Sequence, residues 1–115
     1  MRYGSANMKQ IISLYQQRSR ETIECAQLAF KNGDYTGVFL RASWAIRLLG
    51  DALLISKNYY APSSRHIMKI LHLENIQKRH DQYLANPDED EISQEDAEVA
   101  LQEAKRLLRQ AQDIP

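Results

Sequence analysis

The sequence predicts an all-α fold, an antiparallel up-and-down bundle of four helices with one short extra helix as an option. Apolar residues recur mostly in three- and four-residue steps, the period of an amphipathic helix, and no segment shows the alternation of a strand. Turn-forming residues interrupt this pattern at residues 32–34, 58–64 and 86–91. The 115 residues are expected to form one domain, 1–115, around one core.

The first predicted helix covers residues 5–31. Its apolar stripe ends before Asn32 and Gly33. Glycine accepts the left-handed conformation that commonly follows a helix end, so these residues are expected to end the helix. Asp34 is expected to begin the second helix by accepting hydrogen bonds from the backbone N–H groups of its first turn. Because so few residues connect them, the first two helices are expected to be antiparallel neighbours.

The second predicted helix, residues 35–57, is the most apolar segment of the chain. Its apolar residues lie on nearly every side of a helical projection, which predicts contact with several neighbours. We therefore expect it to be the central helix, or to form a dimer interface as well. Gly50 costs roughly 1 kcal/mol of helix propensity relative to alanine, and the close approach of another helix would explain its presence. The apolar set is Val38, Phe39, Ala42, Trp44, Ala45, Ile46, Leu48, Leu49, Ala52, Leu53, Leu54 and Ile55.

Two further helices are predicted after the loop that contains Pro62. Ser63 or Ser64 is expected to cap helix three, which continues unbroken to about Tyr83. The acidic stretch at residues 86–91 is interpreted as a solvated turn, with a cation site as the alternative. Ser93 is expected to cap helix four, whose apolar seam is Ala97, Leu101, Ala104, Leu108 and Ala111.

Charge is distributed unevenly along a chain whose formal net charge is zero. Residues 1–79 hold 12 Lys and Arg against 5 Asp and Glu, a net charge of +7, and residues 80–115 hold 3 against 10, a net charge of −7. Two interpretations stay open. The two halves neutralise each other across the fold or a dimer, or the first three helices bind an anionic partner.

Several absences in the sequence favour a cytoplasmic protein that does not enter membranes. Residues 1–10 lack the apolar core of a signal peptide, and residues 1–7 are expected to be disordered or tag-derived. No apolar run approaches the roughly 18 residues of a membrane span. The single cysteine, Cys25, excludes an intramolecular disulfide and is expected to lie in the core.

Five motifs follow one another in an order that resembles the HEPN family. The first is Gly33-Asp34-Tyr35 after an Ala/Leu-rich helix end, and the second is Arg41-Ala42-Ser43-Trp44-Ala45. A Ser/His start to helix three follows at Ser64-Arg65-His66, with an Arg-to-Tyr segment at residues 79–83. The last motif is the final helix, residues 92–108.

The HEPN resemblance extends over roughly residues 10–112. It implies a four- or five-helix up-and-down bundle, commonly a homodimer, that binds nucleotides or RNA without a metal or other cofactor. Some members are ribonucleases that act as toxins paired with a small nucleotidyltransferase antitoxin, and others have lost catalysis. The rival fold, a tetratricopeptide-type repeat, is disfavoured because the second helix is too long and no period near 34 residues appears.

One segment matches the pattern of active HEPN ribonucleases, an Arg, a polar residue and then a His. Here the segment runs from Arg65 and His66 to His72. On an unbroken helix, seven residues put Arg65 and His72 on one face about 10 Å apart. The resemblance implies that Arg65 binds the scissile phosphate and His72 transfers the 2′-hydroxyl proton, with His66 and Lys69 as further ligand contacts. Glu74 departs from the family, because many active members have a Tyr there.

Three other arginines are candidate nucleotide or RNA ligands. Arg41 and Arg47 interrupt the apolar second helix, where a groove would let them contact phosphate. Their structural alternative is a salt bridge, for example between Arg47 and Asp51. Arg79 is the third candidate, with a surface or bundle-internal polar contact as its alternative. The competing function for the whole chain is a non-catalytic protein-interaction module that uses helix two or the acidic last helix.

Overall fold

The computed structural model describes residues 5–89 and 91–114, and five α-helices occupy most of them. These helices are α1 (Ser5–Lys31), α2 (Tyr35–Ile55), α3 (Ser64–Ile70), α4 (Glu74–Ala85) and α5 (Gln94–Gln112). No strand occurs among the described residues, so the predicted all-α class is confirmed. Of the segment 1–7, residues 1–4 lie outside the described residues and residues 5–7 belong to the first turns of α1.

The α1–α2 hairpin is formed by the turn residues that the sequence predicts. Gly33 adopts a left-handed conformation with φ of 74°. The Asp34 side chain then accepts a hydrogen bond from the backbone N–H of Gly37 at 2.9 Å, which caps the first turn of α2. Because only three residues connect α1 to α2, the two helices pack side by side in opposite directions.

The α2 helix is the centre of the fold, since it packs against all four other helices. Its predicted central position is therefore confirmed. The α5 helix runs in the direction of α2. At one end the Tyr35 hydroxyl lies 3.3 Å from Gln94 Oε1, and at the other end Ile114, just after α5, packs against the cluster that contains Ala52 and Ile55 of α2. The largest fully buried side chains of the core are Val38, Phe39, Ile46, Leu49, Met68 and Leu107.

The prediction of one unbroken third helix is wrong, because a turn separates α3 from α4. His72 has φ of 59°, and its N–H donates to the Lys69 carbonyl at 3.1 Å. The Leu73 N–H donates to the Met68 carbonyl at 2.8 Å, which completes a Schellman motif. In a continuous helix, Leu73 would point more than about 100° away from Ile67 and Leu71. The turn lets Leu73 enter the core with 7% of its surface exposed.

The close contact that Gly50 was predicted to allow exists between α2 and α3. A Cβ atom at Gly50 would lie 2.5 Å from Ile67 Cγ2 and 2.8 Å from Leu71 Cδ1. Both distances are too short for carbon atoms, so the absence of a side chain is what permits α3 to pack here. The contact fixes the middle and the end of α3 beside the last third of α2.

Two side chains that the sequence suggests for the interior are exposed instead. Cys25 lies on the solvent face of α1, which contradicts its expected core position. Trp44 on α2 exposes 54% of its surface. Among the described residues, no helix is both long and apolar enough to cross a membrane.

The Gly50→Ala variant should be less stable than the wild type by about 1–2 kcal/mol. The gain in helix propensity is about 1 kcal/mol at most, whereas a methyl group within 2.8 Å of two packed carbon atoms should cost about 2–3 kcal/mol, the upper part of the range for overpacking. Urea unfolding followed by circular dichroism measures the difference. Ser13→Ala, on an exposed position of α1, is the control and should change the free energy by less than about 0.5 kcal/mol. A Gly50→Ala protein as stable as the wild type would contradict the close contact.

Candidate functional site

An arginine–aspartate pair joins the start of α3 to the middle of α4. Arg65 Nη1 donates to Asp81 Oδ2 at 2.8 Å, and Arg65 Nη2 donates to Asp81 Oδ1 at 3.0 Å. This is the bidentate geometry in which a guanidinium binds carboxylate or phosphate. The hydrogen bonds from Arg65 lower the pKa of Asp81, so the carboxylate is charged at neutral pH. The Arg65 side chain remains 69% exposed, which leaves part of its donor set open to solvent.

A second arginine approaches the same carboxylate from α2. Arg47 is half-buried, and its Nη2 lies 3.4 Å from Gln77 Oε1, a long hydrogen bond. Gln77 Nε2 in turn donates to Asp81 Oδ1 at 3.0 Å. Burial lowers the pKa of Arg47, and the negative charge of Asp81 opposes that shift. Arg47 therefore has little hydrogen bonding to compensate for its partial loss of water.

His80 lies beside these groups, and the five residues Arg47, Arg65, Gln77, His80 and Asp81 are called the arginine cluster below. The His80 ring stacks on Phe39 with the ring centroids 6.4 Å apart. Its Nδ1 atom is buried and has no hydrogen-bond partner among the described residues. Burial lowers the pKa of His80, and Arg47 and Arg65 lower it further against an opposing effect of Asp81. The ring is therefore neutral at physiological pH.

The outward face of α2 carries an aromatic side chain between two arginines. Trp44 lies three residues from both Arg41 and Arg47, so the three side chains are neighbours on the helix surface. Leu40 and Leu48, which are partly buried, lie on the same face. A shallow cleft towards α1 is lined by Arg41 and Trp44 among others. This α2 face thus combines an indole ring, which is large enough to stack on a nucleobase, with two cationic side chains.

The structure brings Arg65 and Arg47 together but does not place His72 on the face that the sequence predicted. The predicted helical geometry of Arg65 and His72 is wrong, because α3 ends at Ile70 and His72 lies exposed in the following turn. Lys69 is exposed one helical turn after Arg65. The His66 Nε2 atom lies 2.6 Å from the Tyr59 hydroxyl, and the planes of the two rings are nearly parallel, at 11°.

The other arginines that the sequence predicts as ligands differ in how closely they bind their acidic partners. Arg79 is enclosed, with 18% of its side chain exposed, and donates from Nε to Asp96 Oδ2 at 2.8 Å. It also donates to the Glu91 carbonyl at 2.9 Å, so it connects α4 to α5. Arg41 is exposed and lies 4.0 Å from Asp34, a loose ion pair. The alternative pair of Arg47 with Asp51 does not form, since Arg47 bonds to Gln77.

Sequence reasoning missed three members of the arginine cluster, Gln77, His80 and Asp81. The spacing from Gln77 to Asp81 places both on one face of α4, and this was a detectable signal. Their arrangement around Arg65 depends on the turn between α3 and α4. No Gly or Pro marks that turn in the sequence.

Comparisons with protein-family models, with curated proteins and with solved structures found no match to this chain. The side chains of the arginine cluster and of the α2 face are therefore the features that indicate a function.

His80 should make the folded protein less stable in mild acid. Its pKa is lowered in the folded state, so below a pH of about 6.5 the unfolded chain takes up a proton that the folded chain resists. The free energy of unfolding should therefore fall as the pH decreases from about 6.5 towards the pKa of His80 in the folded state. At higher pH, His80 should not make the free energy of unfolding depend on pH. Urea unfolding between about pH 7.5 and 5.5 measures this dependence.

The His80 assignment has a matched control among the histidines. His80→Gln should flatten the pH dependence, whereas His72→Gln, on the exposed turn, should retain it. An NMR titration of the His80 ring should give a midpoint below about 6.5. A midpoint above that value would contradict the described environment.

Proposed function

We propose that this chain is a HEPN-like helical protein that binds RNA or a nucleotide through the arginine cluster and the α2 face. One observation carries the proposal: Arg65 binds the carboxylate of Asp81 directly, and Arg47, on a different helix, is connected to the same carboxylate through Gln77. A guanidinium binds phosphate with the same fork geometry. A ligand phosphate beside Asp81 would give Arg47 the stronger hydrogen bonds that it lacks.

The order and the directions of the helices support the proposal of a HEPN-like bundle. The α3 helix packs near Gly50 of α2, and α4 brings His80 against Phe39 nearer the start of α2. Together, α3 and α4 therefore return along α2 in the opposite direction. If they are counted as one interrupted helix, the order of the elements matches an up-and-down bundle of four.

The exposed Trp44 ring supports a nucleic-acid ligand over a free anion. Stacking of a base on an exposed aromatic ring contributes about 1–3 kcal/mol and tolerates any base. Arg41 and Arg47 flank this ring at one helical turn on either side. A base on Trp44 would thus place its neighbouring phosphates near cationic groups.

A protein-interaction module is the second candidate function. Trp44 exposes 54% of its surface beside the partly buried Leu40 and Leu48, and such an apolar strip also suits a protein partner. The HEPN resemblance implies two protein partners, a second copy of the chain in a homodimer and a nucleotidyltransferase. A gene for a small nucleotidyltransferase beside the gene for this chain would favour the toxin-like pairing.

Binding of single-stranded RNA should be salt-sensitive and should depend on the arginine cluster. A labelled RNA of about twelve nucleotides, titrated with the protein between about 50 and 200 mM salt, measures the affinity and its salt dependence. Arg65→Gln and Arg47→Gln should each weaken binding several-fold and lower the salt slope by about one. Arg109→Gln on the exposed face of α5 is the charge-matched control and should bind as the wild type does.

Trp44 provides an independent readout, because it is the only tryptophan of the chain. Stacking of a base should quench its fluorescence during the same titration, and Trp44→Leu should weaken binding without changing the salt slope. If Arg65→Gln and Arg109→Gln bound RNA with equal affinity, the arginine cluster would not be the RNA-binding site. If no salt-sensitive binding occurs at all, the protein-interaction module becomes the better proposal.

Ribonuclease activity is a separate part of the proposal, and it requires His72, which lies in the turn after α3 and not on the helix, to reach a scissile phosphate held by Arg65. Purified protein should then cleave single-stranded RNA in the presence of a metal chelator, and His72→Ala should abolish cleavage. Gel analysis of the RNA fragments measures the activity. Cleavage that persists in His72→Ala would remove His72 from the active site. RNA that is bound but stays intact would leave a non-catalytic binding protein.

A further inference from the structure

We infer that RNA binding at the arginine cluster is coupled to the uptake of a proton by His80, so that the complex forms more tightly as the pH falls. The inference rests on the proposed function and adds a form of regulation to the same site. It makes His80 a third cation of the cluster, one that forms when RNA is bound in mild acid.

The packing of His80 disfavours a charge on its ring in the free protein. The ring is partly buried against Phe39, with the two ring centroids 6.4 Å apart. Its Nδ1 atom is buried without a hydrogen-bond partner among the described residues, so nothing there would compensate a charged ring for its lost water. Burial lowers the pKa of His80 most, and Arg47 and Arg65 lower it further against the opposing charge of Asp81.

Charged groups from three helices surround His80. Arg47 is contributed by α2, Arg65 by α3, and Asp81 follows His80 on α4. The residues one helical turn before and after His80 on α4 carry no charge at neutral pH, and they are Ile76, Gln77, Tyr83 and Leu84. The two arginines therefore outweigh the one carboxylate, and a proton on His80 meets net repulsion.

The side of α4 that faces α5 adds no net charge. There, Arg79 Nε donates to Asp96 Oδ2 at 2.8 Å, and the opposite charges of this ion pair offset each other. The electrostatic environment of His80 is therefore set by the arginine cluster. A change in the charge of that cluster should change the proton affinity of the ring.

A phosphate bound by Arg47 and Arg65 changes that balance. Its negative charge offsets the two positive charges that repel a proton on His80, so the pKa of His80 is higher in the complex than in the free protein. A group whose pKa rises on binding takes up a proton in the complex, and the affinity then depends on pH. The affinity increases as the pH falls through the pKa of the complex, and it levels off below the pKa of the free protein.

The other two histidines are less suited to this coupling. His72 lies exposed in the turn after α3, and the His66 ring is engaged with Tyr59, its Nε2 atom lying 2.6 Å from the hydroxyl. His80 instead adjoins Asp81, whose carboxylate binds Arg65 directly. We therefore assign the coupled proton to His80.

A 2′-O-methyl oligouridine of about twelve nucleotides with hydroxyl ends tests the inference. It has no 2′-hydroxyl to support cleavage, and neither its bases nor its phosphodiesters change charge in mild acid. Its affinity is measured at constant salt through the fluorescence of Trp44 or by competition with labelled RNA. The wild type should bind it roughly three- to tenfold more tightly at about pH 5.5 than at about pH 7.5. NMR titrations of the free and the bound protein should show the largest rise in pKa at His80.

His80→Gln should lose most of this pH dependence, whatever its affinity at neutral pH. His72→Gln, which removes an imidazole from the exposed turn, is the matched control and should keep the pH dependence. Circular dichroism checks that each protein is folded at each pH. The NMR titration of the wild type tests the inference by itself should His80→Gln not fold.

Three results would overturn the inference and leave RNA binding intact. They are an affinity that does not change with pH, a pKa of His80 that does not rise on binding, and a pH dependence that persists in His80→Gln. Absence of salt-sensitive binding at both pH values would overturn the proposed function together with the inference.

Discussion

The packing of α3 on Gly50 positions the groups that α3 and α4 contribute to the candidate site. Because Gly50 has no side chain, Ile67 and Leu71 can reach the surface of α2, and α3 lies beside the last third of α2. Arg65 therefore lies near Arg47. The turn at His72 then redirects the chain so that Asp81 on α4 binds Arg65 directly and is connected to Arg47 through Gln77. An apolar contact between two helices thus determines the electrostatics of the site.

Two arginine–aspartate pairs that involve α4 have different physical roles. Arg79 is largely enclosed between α4 and α5, where it bonds to Asp96 and to the backbone before α5. That pair holds two helices together. Arg65 and Asp81 face solvent, where ion pairs contribute little to stability. This pair therefore contributes little to holding α3 and α4 together.

Helices whose bounds depend on nearby residues could be predicted from the sequence. The bounds of α1, the cap at Asp34 and the seam of α5 follow from periodicity and capping residues within a few positions of each other. The predicted second helix ended at residue 57, close to its observed end at Ile55. Such signals need no knowledge of the rest of the fold.

The interruption of the third helix could not be predicted in this way. Its left-handed residue is a histidine, and the benefit of the turn is the burial of Leu73 against residues distant in sequence. Arg47 and Arg65 were recognised as candidate ligands from their residue types. Their meeting at Asp81 depends on that interruption, so the site was only partly predictable.

The exposed position of Cys25 has a practical consequence for any study of self-association. A thiol on the surface of α1 can form an intermolecular disulfide in air, and the resulting covalent dimer would resemble a specific one on a sizing column. The same thiol is the single cysteine of the chain. It therefore provides one defined point for attaching a maleimide probe, from which distances between two copies can be measured without further engineering.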